Sequence, residues 1–319
     1  MKVVFLGTPD FAVGALDKIN EVYDVVAVVT QPDKPKGRSG KPTFSAVKEE
    51  ALKLNIPVYQ FVKIRKEGVE PLKSLNADVF VTCAYGQILS QEIIDIPKYG
   101  IINIHASLLP KYRGAAPIQW SIINGDEYTG VTIMRTDAGV DTGDILLSEK
   151  IKIGERETAG ELFDRLSSLG AELIVKALKL IESGGAVFVK QDEAFATHVR
   201  MLTKEDGLID WSKSPKQIFD LVRGTTPWPG AYTYYNGKIL KIHSVEISQS
   251  GEVGQAGEVL SSDKKDGIVV SAGGGAVRIT ELQIEGAKRM SAHDFLLGRT
   301  LEKGAILGKT EADTAENDK

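Results

Sequence analysis

Four short apolar runs, Val3–Leu6, Val25–Val29, Val79–Cys83 and Ile101–Ile104, recur through the first third of the chain with longer amphipathic segments between them. These runs are apolar at nearly every position, not at alternate ones. That is the pattern of strands covered on both faces, as in a parallel sheet. Parallel neighbours need a crossover of a dozen residues or more, and the intervening segments are long enough to supply one. The rhythm predicts a doubly wound α/β sheet. Apolar residues fall at helical spacing over Phe44–Leu54 and Ala116–Ile123, and residues 130–135 and 144–151 read as further strands. The longest helical pattern is Thr158–Ile181, where Leu162, Phe163, Leu166, Leu169, Leu173, Ile174, Ala177 and Leu178 make one stripe. Thr158 and Glu161 stand at capping-box spacing, and Ser183-Gly184-Gly185 supplies the stop.

A change of pattern follows. Residues 1–188 form one expected domain and 189–208 an irregular linker. Residues 209–310 form an all-β module, opened by a short helix from Ser214-Pro215 to Val222. Ala231–Tyr235, Lys238–Val245, Gly257–Leu260, Gly267–Ser271 and Ala276–Leu282 are short strands, and Asn236-Gly237 is a strong hairpin signal. Their spacing suggests a small barrel, closed by a helix at Ser291–Leu297. Residues 311–319 are acidic, almost without apolar side chains, and expected to be disordered.

With 319 residues, two domains are expected. The single cysteine, Cys83, excludes a disulfide framework and a cysteine-based metal site; in its strand it reads as a buried thiol. No apolar run reaches the ~20 residues of a membrane helix. The opening Lys2–Gly7 reads as a strand ending at glycine, not a signal peptide, so a cytoplasmic location is expected. A net charge of −4 argues against a generic nucleic-acid binder. Against that, Lys34, Lys36, Arg38 and Lys41 concentrate positive charge, with no anion among them, in one Gly- and Pro-containing loop.

The chemistry concentrates at residues 103–110, Asn-Ile-His-Ala-Ser-Leu-Leu-Pro. Alternation along a strand puts Asn103 and His105 on one face and Ile104 on the other. A polar pair at the carboxyl end of a strand in an open α/β sheet stands where ligands usually bind. His105 can serve as a general acid or base, and the Asn103 amide can hold a developing oxyanion. The plainer alternatives are a structural histidine and an asparagine bonded to a neighbouring loop. Residues 137–144 form a tight polar loop with Asp137, Asp141 and Asp144, at spacing unlike an EF-hand. If Asp141 lay near His105 it would orient the ring and favour its charged form. Gly7-Thr8-Pro9-Asp10-Phe11 is not a dinucleotide fingerprint. His198, His243 and His293 lack metal-ligand spacing.

Asn103–Pro110 together with Asp141-Thr142-Gly143-Asp144 resembles the formyltransferases that use 10-formyltetrahydrofolate. Gly7–Phe11, Gln31–Pro35, Tyr112–Gln119, Thr129–Met134, Ile209–Ser212 and Pro227–Ala231 are similar to the branch that acts on methionyl-tRNA. The resemblance covers about residues 1–310. It implies a Rossmann-like formyltransferase domain and a C-terminal domain with an OB-like barrel. It implies that Asn103, His105 and Asp141 carry catalysis, without a metal. Gln87, Ile88 and Leu89, Ser107, Leu108, Leu109 and Pro110, and Asp137, Ala138, Gly139 and Val140 would line the folate pocket. Lys34, Lys36, Arg38 and Lys41 would meet the acceptor stem of initiator tRNA, with Lys213 and Arg223 as further phosphate contacts. Lys238, Lys241, Lys288 and Arg289 are weaker candidates. The implied partners are methionyl initiator tRNA and the folate, with no membrane, no obligate protein partner and a monomeric state. The other readings are formylation of an amino sugar nucleotide, hydrolysis of the folate to formate, and a non-catalytic tRNA-binding protein.

Overall fold

The computed structural model describes residues 1–35, 42–249, 251 and 253–308. The chain divides into two units. One comprises residues 1–117, 128–152 and 163–200; the other comprises 118–127, 153–162 and the chain from 201 onward.

The first unit is built on a seven-stranded sheet. Strands β1 (Lys2–Gly7), β2 (Asp24–Thr30), β3 (Val58–Gln60), β4 (Val79–Cys83) and β5 (Ile101–His105) lie parallel in the order β3-β2-β1-β4-β5. The four apolar runs are thus β1, β2, β4 and β5. The chain goes outward from β1 to β3, then crosses to β4 and β5, so the sheet reverses direction of winding between β1 and β4. Such a reversal opens a crevice at the strands' carboxyl ends. Beyond β5 lie β6 (Tyr128–Arg135) and β7 (Ile145–Lys152), both added antiparallel. The expectation of a parallel sheet therefore holds for five strands and not for these two. Only nine residues separate β6 from β7, too few for a crossover helix.

Helices α1 (Val13–Asn20) and α2 (Ala46–Lys53) accompany these strands, α3 (Pro117–Ile123) falls with the second unit from Ile118 on, and α4 (Ala159–Glu182) belongs to the first unit from Phe163 on. Ser45 caps α2 by accepting from the Lys48 N–H. The Thr158–Glu161 capping box forms as expected, with the Thr158 N–H 2.9 Å from the Glu161 carboxylate. Gly170 of α4 faces the back of β5: a Cβ there would stand 2.9 Å from Ile104 Cγ2. The missing side chain lets the helix pack directly behind the strand that carries Asn103 and His105.

The stretch expected as a linker is not free over 189–200. Val189 pairs with Ile145, and His198–Val199 forms a short parallel ladder with Arg113–Gly114. A composition-based boundary missed this because the segment is bound through backbone and polar groups, not through an apolar run.

In the second unit, α5 (Pro215–Gly224) starts at the Ser214–Gln217 capping box. Strands β8 (Ala231–Tyr235), β9 (Lys238–Ile247), β10 (Val259–Asp263), β11 (Gly267–Ala272) and β12 (Gly275–Ile284) run antiparallel in the order β8-β9-β12-β11-β10. Asn236-Gly237 makes the β8–β9 turn, both residues at positive φ. β13 (Met290–Ser291) pairs with β12 and leads into α6 (Ala292–Gly298). The chain at 304–308 then joins the two edges of the sheet. Leu307 N–H donates to Gly257 O beside β10, and Gly308 N–H donates to Tyr234 O in β8. This closes the sheet into the expected barrel around Leu240, Ile242, Val259, Ile268, Val277 and Leu282, with Ile218 and Val222 of α5 against it.

Candidate active site

The site is at the carboxyl edge of the first unit, at the end of β5. Asn103 is in register with Thr82 on β4, and the Thr82 hydroxyl donates to Asn103 Oδ1 at 2.8 Å. That bond occupies the amide oxygen and leaves the amide N–H₂ to face away from it as a fixed donor. His105, two residues on, is buried. Its Nε2 lies 2.9 Å from the carbonyl oxygen of Tyr112, which can only accept, so Nε2 carries a proton. Nδ1 faces Asp141 Oδ2 at 3.6 Å, beyond hydrogen-bond length. The same Oδ2 accepts the Gly114 N–H at 2.8 Å. The three residues separated by up to 38 positions in the chain are therefore brought to one end of one strand, and Asp141 is within reach of the imidazole.

The loop that presents Asp141 is tightly specified. Asp137 Oδ1 accepts from the Gly139 N–H at 3.0 Å and the Thr142 hydroxyl at 2.7 Å. A Cβ on Gly143 would lie 1.7 Å from the Arg135 carbonyl oxygen, so no other residue fits there. Asp141 itself has φ of 54°, in the left-handed region. The turn after β5 is held from the adjacent strand. Thr132 on β6 donates to Ser107 O at 2.7 Å and accepts from the Leu109 N–H at 3.1 Å. The Ser107 hydroxyl is spent on Lys111 O at 2.6 Å. Ser107 and Leu109 are buried, and Leu108 and Pro110 are partly so. These residues shape the turn.

At the switch point between β1 and β4, the Thr8 hydroxyl donates to Tyr85 O at 3.0 Å, joining the loops after the two strands. Gln87 is committed inward: it accepts from the Ile64 N–H at 2.9 Å and donates to Phe61 O at 2.8 Å. Its neighbour Ile88 is 74% exposed, as is Val140 at 60% in the Asp141 loop, while Leu89 is half-buried. Asp137, Ala138 and Gly139 are exposed.

Lys36, Arg38 and Lys41 lie outside the described residues. At the loop's base, Lys34 pairs through its backbone with Thr43. Asp33 beneath it takes hydrogen bonds from Lys48 at 2.6 Å and Gln60 at 2.8 Å, the first of which chiefly holds its carboxyl below the ordinary range. On the second unit, Lys213 is exposed, 3.9 Å from Asp210. Arg223 corrects the expectation of a phosphate contact. It is buried, bonded through Nε to Asp220 at 2.9 Å and through Nη1 to the carbonyls of Gly154 and Glu157. A guanidinium so enclosed serves the packing of α5. Arg289 is likewise paired, with Glu281.

Three side chains at the site were not singled out from the sequence. Thr82 sat unremarked in an apolar run. Arg113 stands out in the sequence only as part of Tyr112–Gln119, yet its side chain is 1% exposed and bonded to Gln191 and Glu193. Gln191 lies in the supposed linker, where nothing local marks a glutamine.

Residues 1–178 match the formyl transferase model, and residues 201–300 match the model of the formyl transferase C-terminal domain. The methionyl-tRNA formyltransferase of Lachnospira eligens is 50% identical over 97% of this chain and all of that protein. That of Geobacter metallireducens is 52% identical over 97% of this chain and 99% of that protein. The chain belongs to the methionyl-tRNA formyltransferase family. Among solved structures, the sugar 3N-formyl transferase WlaRD superposes with a TM-score of 0.68 at 22% identity, over 90% of this chain and 99% of that one. That likeness supports the fold of both units.

Proposed function

We propose that this chain transfers the formyl group of 10-formyltetrahydrofolate to the α-amine of methionyl initiator tRNA, giving N-formylmethionyl-tRNA for translation initiation. The observation that carries this reading is the Asn103 amide, locked by Thr82 with its N–H₂ directed away, beside the His105–Asp141 pair, in a chain half identical to enzymes of that name. As the amine attacks the formyl carbon, the carbonyl oxygen takes up negative charge. Asn103 donates to that oxyanion; one such donor is typically worth about 3 kcal/mol of barrier. Asp141 takes the proton that the attacking nitrogen gives up, directly or through His105. The proton is returned to the folate nitrogen as its bond to carbon breaks, so the step is balanced without a metal.

Ile88, Leu89 and Val140 offer apolar surface for the folate, and the backbone of residues 137–140 offers polar groups. Lys34, Lys36, Arg38, Lys41 and Lys213 bind the tRNA. Arg38→Ala weakens formylation of tRNA far more than folate binding, and tRNA affinity falls steeply with salt as phosphate contacts release counterions. The protein acts as a cytoplasmic monomer; among the described residues, no helix is long and apolar enough to cross a membrane. The test is incubation with 10-formyltetrahydrofolate and charged initiator tRNA, charged elongator tRNA, or an amino sugar nucleotide. Rapid formylation of the first alone supports the reading. Formylation of the sugar, or formate release that tRNA does not redirect, contradicts it.

A further inference from the structure

We infer that Arg113 and Gln191 form a bracket that sets the spacing of Asp141 from His105, and that they are positioning residues for formyl transfer. The inference rests on the proposed role of Asp141.

Residues 112–114 touch both members of the pair. The Tyr112 carbonyl accepts from His105 Nε2, and the Gly114 N–H donates to Asp141 Oδ2. The distance between the imidazole and the carboxylate is therefore set by three consecutive residues. Gly114, with φ of 101°, takes a conformation that a glycine permits, while Tyr112 is held in an unusual one, with φ of 62°. Such backbone persists only where its surroundings over-determine it.

Residues 191–199 provide those surroundings. The Tyr112 N–H donates to the Thr197 hydroxyl, the Arg113 N–H to Thr197 O and the Ala115 N–H to Val199 O. The N–H of Gly114 points the opposite way, as ladder alternation requires, and is the one left for Asp141. A Cβ on Gly114 would stand 2.4 Å from Val199 O, so the two segments meet at backbone contact.

Between them lies Arg113. Burying a guanidinium is costly unless every face is bonded. Here Nε and Nη2 donate to Gln191 Oε1 at 3.1 and 2.9 Å, while Nη1 and Nη2 donate to the Glu193 carboxylate at 2.9 and 2.7 Å. Gln191 then spends both amide hydrogens on the Asp141 loop, donating to Asp141 O at 2.8 Å and Gly143 O at 2.7 Å. One glutamine thus ties the residue between the two contacts to the backbone of the carboxylate.

The test is Gln191→Glu, which keeps an acceptor for Arg113 and removes both donors to the Asp141 loop. It is made alone and in the Asp141→Ala background of the full-length protein, with melting temperature measured in each. Expected are a roughly tenfold lower kcat, since a 1 Å misplacement can cost about a hundredfold, KM values for tRNA and folate within about twofold, and no further loss of kcat in Asp141→Ala. Thr197→Val, which removes the acceptor of the Tyr112 N–H, shows the same pattern and stands in if Gln191→Glu fails to fold. An unchanged kcat, or an equal loss with and without Asp141, overturns the bracket while leaving the active-site reading in place. A normal rate for Asp141→Ala alone overturns that reading and the bracket with it.

Discussion

In the first unit, Ala84, Tyr112, Ala116 and Asp141 hold φ between 48° and 62° and lie past β4, past β5 or between β6 and β7; the other two non-glycines there at positive φ, Asn55 and Asn76, are asparagines in the turns before β3 and β4, a residue type that tolerates it. In the second unit, among the described residues, the non-glycine at positive φ is Asn236, in a hairpin turn that favours it. Buried polar groups divide in the same way. Those of the barrel unit stay within that unit and serve its packing, such as Trp211 Nε1 donating to Thr233 at 3.0 Å, the Thr225 hydroxyl donating to Leu221 O at 2.7 Å, or Arg223 held by Asp220 and the Gly154 and Glu157 carbonyls. Those at the carboxyl edge, His105, Ser107, Arg113 and Thr132, tie the turn after β5 to the loops and strands around the proposed site, across 7 residues for His105 and 80 for Arg113. The barrel follows the ordinary rules of local propensity. One edge of the α/β unit departs from them, and the departures coincide with the proposed chemistry.

Substitutions can break this division. In the barrel, Ile242→Ala should cost about 2–5 kcal/mol of stability through lost transfer energy and a cavity. Turnover per folded molecule should be unchanged, as chemical denaturation and assay of the same samples would check. Within the first unit, the opposite end of the sheet should behave like the barrel. Tyr23, just before β2, is buried, and burial first, then the Glu182 carboxylate, push its hydroxyl up to about 12. The folded state holds that proton more tightly than the unfolded state. Stability is therefore complete below pH 10 and is lost as pH rises from about 10 to 12. The loss is on the order of 2 kcal/mol. Tyr23→Phe should flatten that alkaline limb in thermal melts and leave formylation unaltered.

At the carboxyl edge the effects should reverse. Thr82→Val leaves Asn103 Oδ1 without its donor, so the amide can rotate. About a tenfold fall in kcat is expected, with little change in KM. If KM rose instead, Asn103 would be binding ground-state substrate. The smallest effect sharpens the comparison most. Ala116→Gly relieves a left-handed alanine and should change stability by less than about 1 kcal/mol, in the stabilising direction, while lowering activity. Asn236→Gly in the barrel should leave both unchanged.

The sequence revealed whatever depends on local pattern. The four apolar runs became β1, β2, β4 and β5, the Thr158–Glu161 box opened α4, and Asn236-Gly237 turned the barrel's first hairpin. An apolar run carries no direction, so the antiparallel sense of β6 and β7 was not readable. Gly14 in the first turn of α1 weakens its helical pattern. Asn103 and His105 were legible because strand period puts them on one face. The polar loop marks Asp141 as a candidate, but only the fold sets it 3.6 Å from the imidazole. Gln191 was invisible, since its role lies in contacts 48 and 50 residues back along the chain.

The most direct test is the single-turnover rate of formyl transfer to methionyl initiator tRNA by Asn103→Ala, with both substrates saturating and the melting temperature matched to the parent. A fall of a hundredfold or more, as expected for the loss of one oxyanion donor, would support the assignment. An undiminished rate in a properly folded variant would contradict it.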